Sequence, residues 1–274
     1  MTEKKLLHYK NSSMADLAKI IDNRIDFSVL HRILQYNCAD IFTNGKSLII
    51  CYSTAPYPIW VWCRDAENTE DMESLAECLK EHFPLEDGYN VIMSHAVLKR
   101  LGDMDSYFED VSLKMELFSY RLKKINDINY PVDGFAKLAT ADEMDEIAIL
   151  FKDMHYEMEG LTFTIEECRE RVNDRISKSE LYTWKNKDGK TVALTAKRIA
   201  DEYGTVNAVY TLPEERRKGY AINLVHKVSQ DIIAEGAIPI LYTDGGYAAS
   251  NECYKKIGFE RVGSICNIKK FKVV

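Results

Sequence analysis

The chain is 274 residues long, with 46% hydrophobic residues, 43 acidic against 36 basic side chains and a formal net charge of −7 at pH 7. That length accommodates two domains with cores of their own, and the acidic balance argues against a nucleic-acid coat or a membrane-surface protein. No apolar run approaches a membrane span, residues 1–5 lack a secretory apolar region, and the cysteines (Cys38, Cys51, Cys63, Cys78, Cys168, Cys253, Cys266) form no C-x-x-C pair or metal-ligand spacing, as expected of reduced thiols in a cytoplasmic chain.

The first 130 residues predict an α/β arrangement. Residues 47–52 and 59–63 read as strands joined by a turn at 54–58. A helix follows with Met72, Leu75, Leu79 and Phe83 on one face, and Thr69 is expected to cap it. Residues 89–93 predict a strand, 95–101 a helix and 114–121 a final strand. The polar stretch 126–131, closing on Pro131, is the expected boundary between domains 1–130 and 131–274.

In the second part, residues 134–138 predict a strand. Thr140 to Glu143 has the pattern of a capping box opening a helix with Met144, Ile147, Leu150 and Phe151 inward. A second box, Thr164 to Glu167, opens a helix ending near Ser177. Residues 181–184 and 191–200 flank Lys187-Asp188-Gly189-Lys190, a hairpin signal, and 205–211 supply a further strand.

That strand runs into Glu214-Glu215-Arg216-Arg217-Lys218-Gly219-Tyr220-Ala221 and then an amphipathic helix with Ala221, Leu224, Val225, Val228 and Ile232 on one face, capped by Gly236. A basic loop at the N-terminus of a helix is an anion site: unpaired N–H groups and the positive end of the helix dipole converge there. Gly219 allows backbone to approach a phosphate closely, and Ala221 keeps the first turn small. Residues 238–243 predict a buried strand bounded by Asp244-Gly245-Gly246. Next comes a helix in which Asn251 and Tyr254, three apart, share one face, while Cys253 points elsewhere. Closing strands are expected around Arg261 and at 269–273. The six histidines include no H-x-x-x-H pair, and His155 is expected to pack or lie on the surface rather than act as a base.

Arg216-x-x-Gly219-x-Ala221, followed by Asn251 and Tyr254 ahead of Gly258-Phe259, resembles the two signatures of the GNAT superfamily of acyl-CoA N-acyltransferases. The resemblance covers residues 132–274 and departs from the family at Tyr247-Ala248-Ala249, where a Pro or Asn is usual. It implies an α/β (α+β) GNAT fold, a mixed, mostly antiparallel sheet flanked by helices. It also implies acetyl-CoA as co-substrate, no metal and a primary amine as acceptor; a monomer or homodimer is expected, and the charge and hydropathy above speak for no nucleic-acid or membrane partner.

The implied cofactor contacts are Val209, Tyr210, Thr211, Arg216, Arg217, Lys218, Gly219, Tyr220, Ala221, Asn251 and Tyr254. In the family the loop amides hold the diphosphate, the Asn binds the pantetheine arm and the Tyr protonates the departing thiolate. Asp244 is the nearest candidate base, with a turn-forming role as the plain alternative. In the first 130 residues the loop 64–71 carries four carboxylates, one arginine and no glycine, and would repel a diphosphate. This half is therefore expected to be a degenerate GNAT-like domain without CoA. Its Tyr57, Trp60 and Trp62 would either line an acceptor cleft or, as aromatics on strands usually do, fill the core. Other acyl-CoAs, or a non-catalytic acyl-CoA-binding regulatory role, are the alternatives to acetyl transfer.

Overall fold

The computed structural model describes residues 6–35 and 39–270. Residues 1–5, Cys38 and positions 271–273 of the expected last strand lie outside them. Two compact units emerge: one formed by Met1–Ser119, Thr243–Gly246 and Val262–Val274, the other by Tyr120–Tyr242 and Tyr247–Arg261.

The elements of the first part of the chain are β1 (Leu7–Ser12), α1 (Ala15–Ala18), α2 (Ser28–Ile33), β2 (Ala39–Thr43), β3 (Leu48–Tyr52), β4 (Ile59–Cys63), α3 (Thr69–His82), β5 (Val91–Met93), α4 (His95–Met104) and β6 (Ser112–Leu122). Those of the second are β7 (Phe135–Leu138), α5 (Met144–Glu159), α6 (Ile165–Ser177), β8 (Leu181–Lys185), β9 (Thr191–Ala200), β10 (Tyr203–Thr211), α7 (Tyr220–Ala234), β11 (Ile238–Asp244), α8 (Ala248–Ile257) and β12 (Phe259–Lys269). Strand and helix follow one another in the same order both times. Pairing repeats as well: β1 through β4 are successively antiparallel and β4 is parallel to β5, while β7 through β10 are successively antiparallel and β10 is parallel to β11.

In the first unit, alternate strand residues Leu48, Ile50, Ile59, Val61, Val91 and Met93 pack with Met72, Leu75 and Leu79 of α3 and Val97 and Leu101 of α4. Period-2 strands and period-3.6 helices here present one continuous apolar surface. Trp60 and Trp62 are buried. The N-cap of α3 is Asn68, not Thr69: its extended backbone lets the side-chain oxygen accept from Asp71 N–H at 3.1 Å, so Thr69 becomes the first helical residue. The Val262–Lys269 part of β12 pairs antiparallel with β5, Cys266 opposite Met93. The strand expected around Arg261 is β12, which runs unbroken from Phe259 to Lys269 because its buried positions Phe259, Ile265 and Ile268 carry it through the polar residues between.

The second unit is built on β7–β11. α5 and α6 pack with Leu181, Leu194, Ala196 and Tyr210, and the Thr164–Glu167 capping box starts α6 as expected. α7 lies on the other face of β8–β10. It approaches β10 so closely that a Cβ on Gly204 would meet Ile232 Cγ2 at 2.3 Å. At the β8–β9 turn, Asn186 Oδ1 accepts from the N–H groups of Asp188 and Lys190, closing the expected hairpin. Next to it Lys185 is held between Glu143 and Glu146 at 2.9 and 2.8 Å. Burial alone would raise the Glu143 carboxyl, but hydrogen bonds from Lys185, Lys137 and Thr140 bring it down to about 2.

Candidate functional site

The site begins with a fault in β10. Antiparallel pairing with β9 places Val206 opposite Lys197 and Asn207 opposite Ala196, then resumes with Tyr210 opposite Leu194, so the register shifts between Asn207 and Tyr210. Ala208 has φ +54, and the extra residue is a β-bulge. It exchanges faces. Gly204 and Val206 lie on the α7 side, yet Tyr210, an even number of residues on, packs with α5 and α6. The Asn207 carbonyl oxygen accepts from Thr195 Oγ1, and its amide oxygen accepts from Arg175.

β10 also parts from β11. Their parallel register runs from Tyr203 opposite Ile238 to Val206 opposite Leu241; among the described residues it does not continue along Asn207 to Thr211. Asn207 to Thr211 thus lie beyond the β10–β11 ladder, and an edge of this kind is where a ligand can take the place of a strand.

Past this edge the chain makes a single turn at Pro213–Glu215 and reaches Arg217 at φ +64 and Gly219 at φ +94. Gly219 is the N-cap of α7 and has no side chain with which to cap it; the first turn carries no acid. The N-terminus of α3 in the first unit is the opposite case, filled by Asn68 and followed by Glu70 and Asp71. Arg217 and Lys218 are exposed, with Lys218 paired to Glu215 at 2.7 Å. The Arg216 side chain turns back into the protein: Nε donates to Thr211 O at 3.0 Å and Nη2 to Glu157 Oε2 at 2.6 Å, and the guanidinium lies 5.7 Å from the Tyr210 ring. Tyr220 contributes backbone only, since its hydroxyl donates to Asp133 at 2.6 Å inside the fold, and the hydrogen bond pushes its pKa up to about 12.

α8 packs against α7 and buries both Asn251 and Tyr254. The amide of Asn251 is oriented at both ends. Its Oδ1 accepts from the Tyr120 hydroxyl at 2.9 Å, and its Nδ2 donates to Tyr247 O at 2.9 Å. The rings of Tyr120 and Tyr254 have centroids 6.4 Å apart. Burial raises the Tyr254 phenol well above the ordinary tyrosine range, so the group holds its proton at neutral pH. Cys253 is raised to about 11, chiefly by burial, and is no thiolate. His155 packs edge-on between Phe151 and Phe163.

Val209 to Ala221, Asn251 and Tyr254 therefore belong to one unit. Asp244 belongs to the other, where its Oδ1 accepts from Gly246 N–H at 2.8 Å in a tight turn. Tyr120 was not legible as a site residue: 131 positions separate it from Asn251, and no local pattern marks it. No group of three or more His, Cys, Asp or Glu side chains able to hold a metal occurs among the described residues.

Residues 186–267, from the β8–β9 turn through most of β12, match the family model described as FR47-like protein. Comparison with curated proteins finds no match. Among solved structures, an acetyltransferase of the GNAT family from Colwellia psychrerythraea is 14% identical with a TM-score of 0.63, over 97% of this chain and 100% of that one. A GCN5-related N-acetyltransferase from Sphaerobacter thermophilus is 10% identical with a TM-score of 0.70, over 98% and 96%. A Drosophila protein is 12% identical with a TM-score of 0.71, over 98% and 99%. The chain has the GNAT fold, and its residues 186–267 match the FR47-like, GNAT-related family.

Proposed function

We propose that the protein is an acetyl-CoA-dependent N-acetyltransferase that moves an acetyl group to a primary amine by direct attack on the thioester. The observation that carries this reading is the passage from the open edge of β10 to the uncapped N-terminus of α7. That terminus offers N–H groups and the positive end of a dipole to a diphosphate, with Arg217 and Lys218 beside it. Val209, Tyr210 and Thr211 offer backbone groups to the pantetheine arm, and an N–H there can stabilise the oxyanion as the amine adds to the carbonyl.

As the C–S bond breaks, sulfur keeps the electron pair and takes the Tyr254 proton. The attacking amine gives up its own proton to a base, for which Asp244 is the candidate, or to water. The bond of Asp244 Oδ1 to Gly246 N–H supports its turn-forming role equally well. The described cysteines are free thiols, which suits a reducing, cytoplasmic compartment.

We further propose that the chain is a tandem, with a degenerate domain at 1–130 and the working one at 131–274. The recurrence of one element order supports this, and the filled, acidic N-terminus of α3 supports the loss of an anion site in the first copy.

The test is thermal unfolding with acetyl-CoA, CoA and longer acyl-CoAs, followed by thiol release with an amine panel. A stabilisation with acetyl-CoA that Gly219→Asp abolishes is expected, and no shift with any CoA species refutes the reading. Tyr254→Phe should keep CoA affinity and lose about 10²–10⁴-fold in turnover. Binding without turnover in the parent protein would make it a non-catalytic acyl-CoA module, and a preference for a longer chain would change the donor.

A further inference from the structure

The arginine that opens the loop motif is half-buried and bonded to the protein itself, with an exposed carboxylate as one partner. Its guanidinium makes two directed bonds, to Thr211 O at the end of β10 and to Glu157 on α5, 59 residues upstream, and it lies over the Tyr210 ring, which is itself buried. The next residues, Arg217 and Gly219, both hold left-handed backbone. Glycine adopts this conformation readily, but at Arg217, which carries a Cβ, it persists only where surrounding contacts over-determine it. With Arg216 paired to Glu157 and Lys218 paired to Glu215, two of the three basic side chains are matched by carboxylates of the protein itself. Arg217 is exposed and in no ion pair among the described residues.

From this geometry we propose that Arg216 is a positioning residue rather than a diphosphate ligand, and that Glu157 is the other half of the clamp. Together they tie the last turn of α5 to the end of β10 and hold the loop 217–219 in its anion-binding shape. Arg217, with the backbone, supplies the charge that meets phosphate. This rests on the acyl-CoA reading of the same loop.

The alternative, in which Arg216 binds phosphate and Glu157 merely competes for it, makes opposite forecasts. Glu157→Gln tests them. A clamp loses a charge-assisted bond and the loop loosens, so CoA binds more weakly, on the order of tenfold. A competitor removed makes CoA bind more tightly. Arg216→Lys sharpens the contrast, because lysine keeps the charge but cannot reach both oxygens with a planar fork.

The experiment is calorimetric titration of CoA into the full-length parent, Glu157→Gln, Arg216→Lys, the double variant and Arg217→Gln, at two salt concentrations. Each protein is also unfolded in urea. Weaker binding in both clamp variants, with the double variant no worse than the poorer single, supports the proposal. Only Arg217→Gln should flatten the salt dependence. CoA affinity equal to or above the parent's in Glu157→Gln overturns it. If the parent binds no CoA at all, the acyl-CoA reading fails separately, and the clamp is then judged on unfolding. Non-additive stability losses at 157 and 216 keep it, and additive ones end it.

Discussion

Replacing Gly219 by Ala isolates the cost of a left-handed helix start. The residue has φ +94 and ψ 1, and a Cβ built there would meet only Tyr130 Cβ at 3.6 Å and Asn223 Nδ2 at 3.7 Å, ordinary contacts. The penalty is therefore conformational, about 1–2 kcal/mol. Alanine also narrows the unfolded ensemble, which returns about 0.5 kcal/mol and leaves a net loss near 1 kcal/mol.

Where the loss is seen depends on what the free loop does. If it keeps its shape, unfolding free energy falls; if it relaxes to negative φ, CoA affinity falls instead. The bound state requires the same backbone either way, so the two losses sum to about 1 kcal/mol, roughly a factor of five. Urea unfolding and CoA titration on the same preparations measure both parts. Gly134→Ala is the comparison: φ is +81, but a Cβ would sit 1.8 Å from Lys185 O, so the loss should reach about 3 kcal/mol or more. If Gly219→Ala leaves both stability and affinity within about 0.3 kcal/mol of the parent, the bound loop does not need left-handed backbone there, and the argument for its shape fails.

Two other outcomes are expected. Tyr120→Phe leaves the buried Asn251 Oδ1 without the Tyr120 hydroxyl, which should lower unfolding free energy by about 1–3 kcal/mol; no change in the urea midpoint would mean that another donor serves that oxygen. Glu143, held at about 2 in the folded protein against an ordinary 4.5, contributes stability that is complete above pH 4.5 and is lost as pH falls towards 2. Urea titrations at pH 7, 5, 4 and 3 should show the parent losing more than Glu143→Gln, and equal slopes would refute the role of the Lys185 pair.

The elements with a sustained period were legible in the sequence. α3, α7 and the β8–β9 hairpin stand where Met72 to Phe83, Ala221 to Ile232 and the Asp188-Gly189 turn put them. The short pieces β1, α1, α2 and β2 were not. β3 and β4 are just as short but almost wholly apolar, LIICY and IWVWC, whereas LHYKNS and ADIFT mix in polar residues, and helices of four and six residues are too short to display a period. At the site, the loop announced itself through its charges and its glycine. The bulge in β10 did not, since Asn207, Ala208 and Val209 are ordinary residues and the fault lies in how they pair. Tyr120 with Asn251 and Arg216 with Glu157 were equally hidden, as contacts made by tertiary folding between distant stretches.

The assignment of Val262–Lys269 to the first unit has a consequence for biosynthesis. β5 pairs with a strand whose Cys266 follows Met93 by 173 residues, so the sheet begun by the first strands gains this member only when the last ones leave the ribosome. At about 5–20 residues per second, β5 waits roughly 10–35 s with that edge unmatched. A nascent chain in this state exposes the backbone of Val91–Met93 to any neighbouring strand. Truncation before residue 262 would make the exposure permanent, so shortened products should aggregate through the first unit although every residue lost is C-terminal.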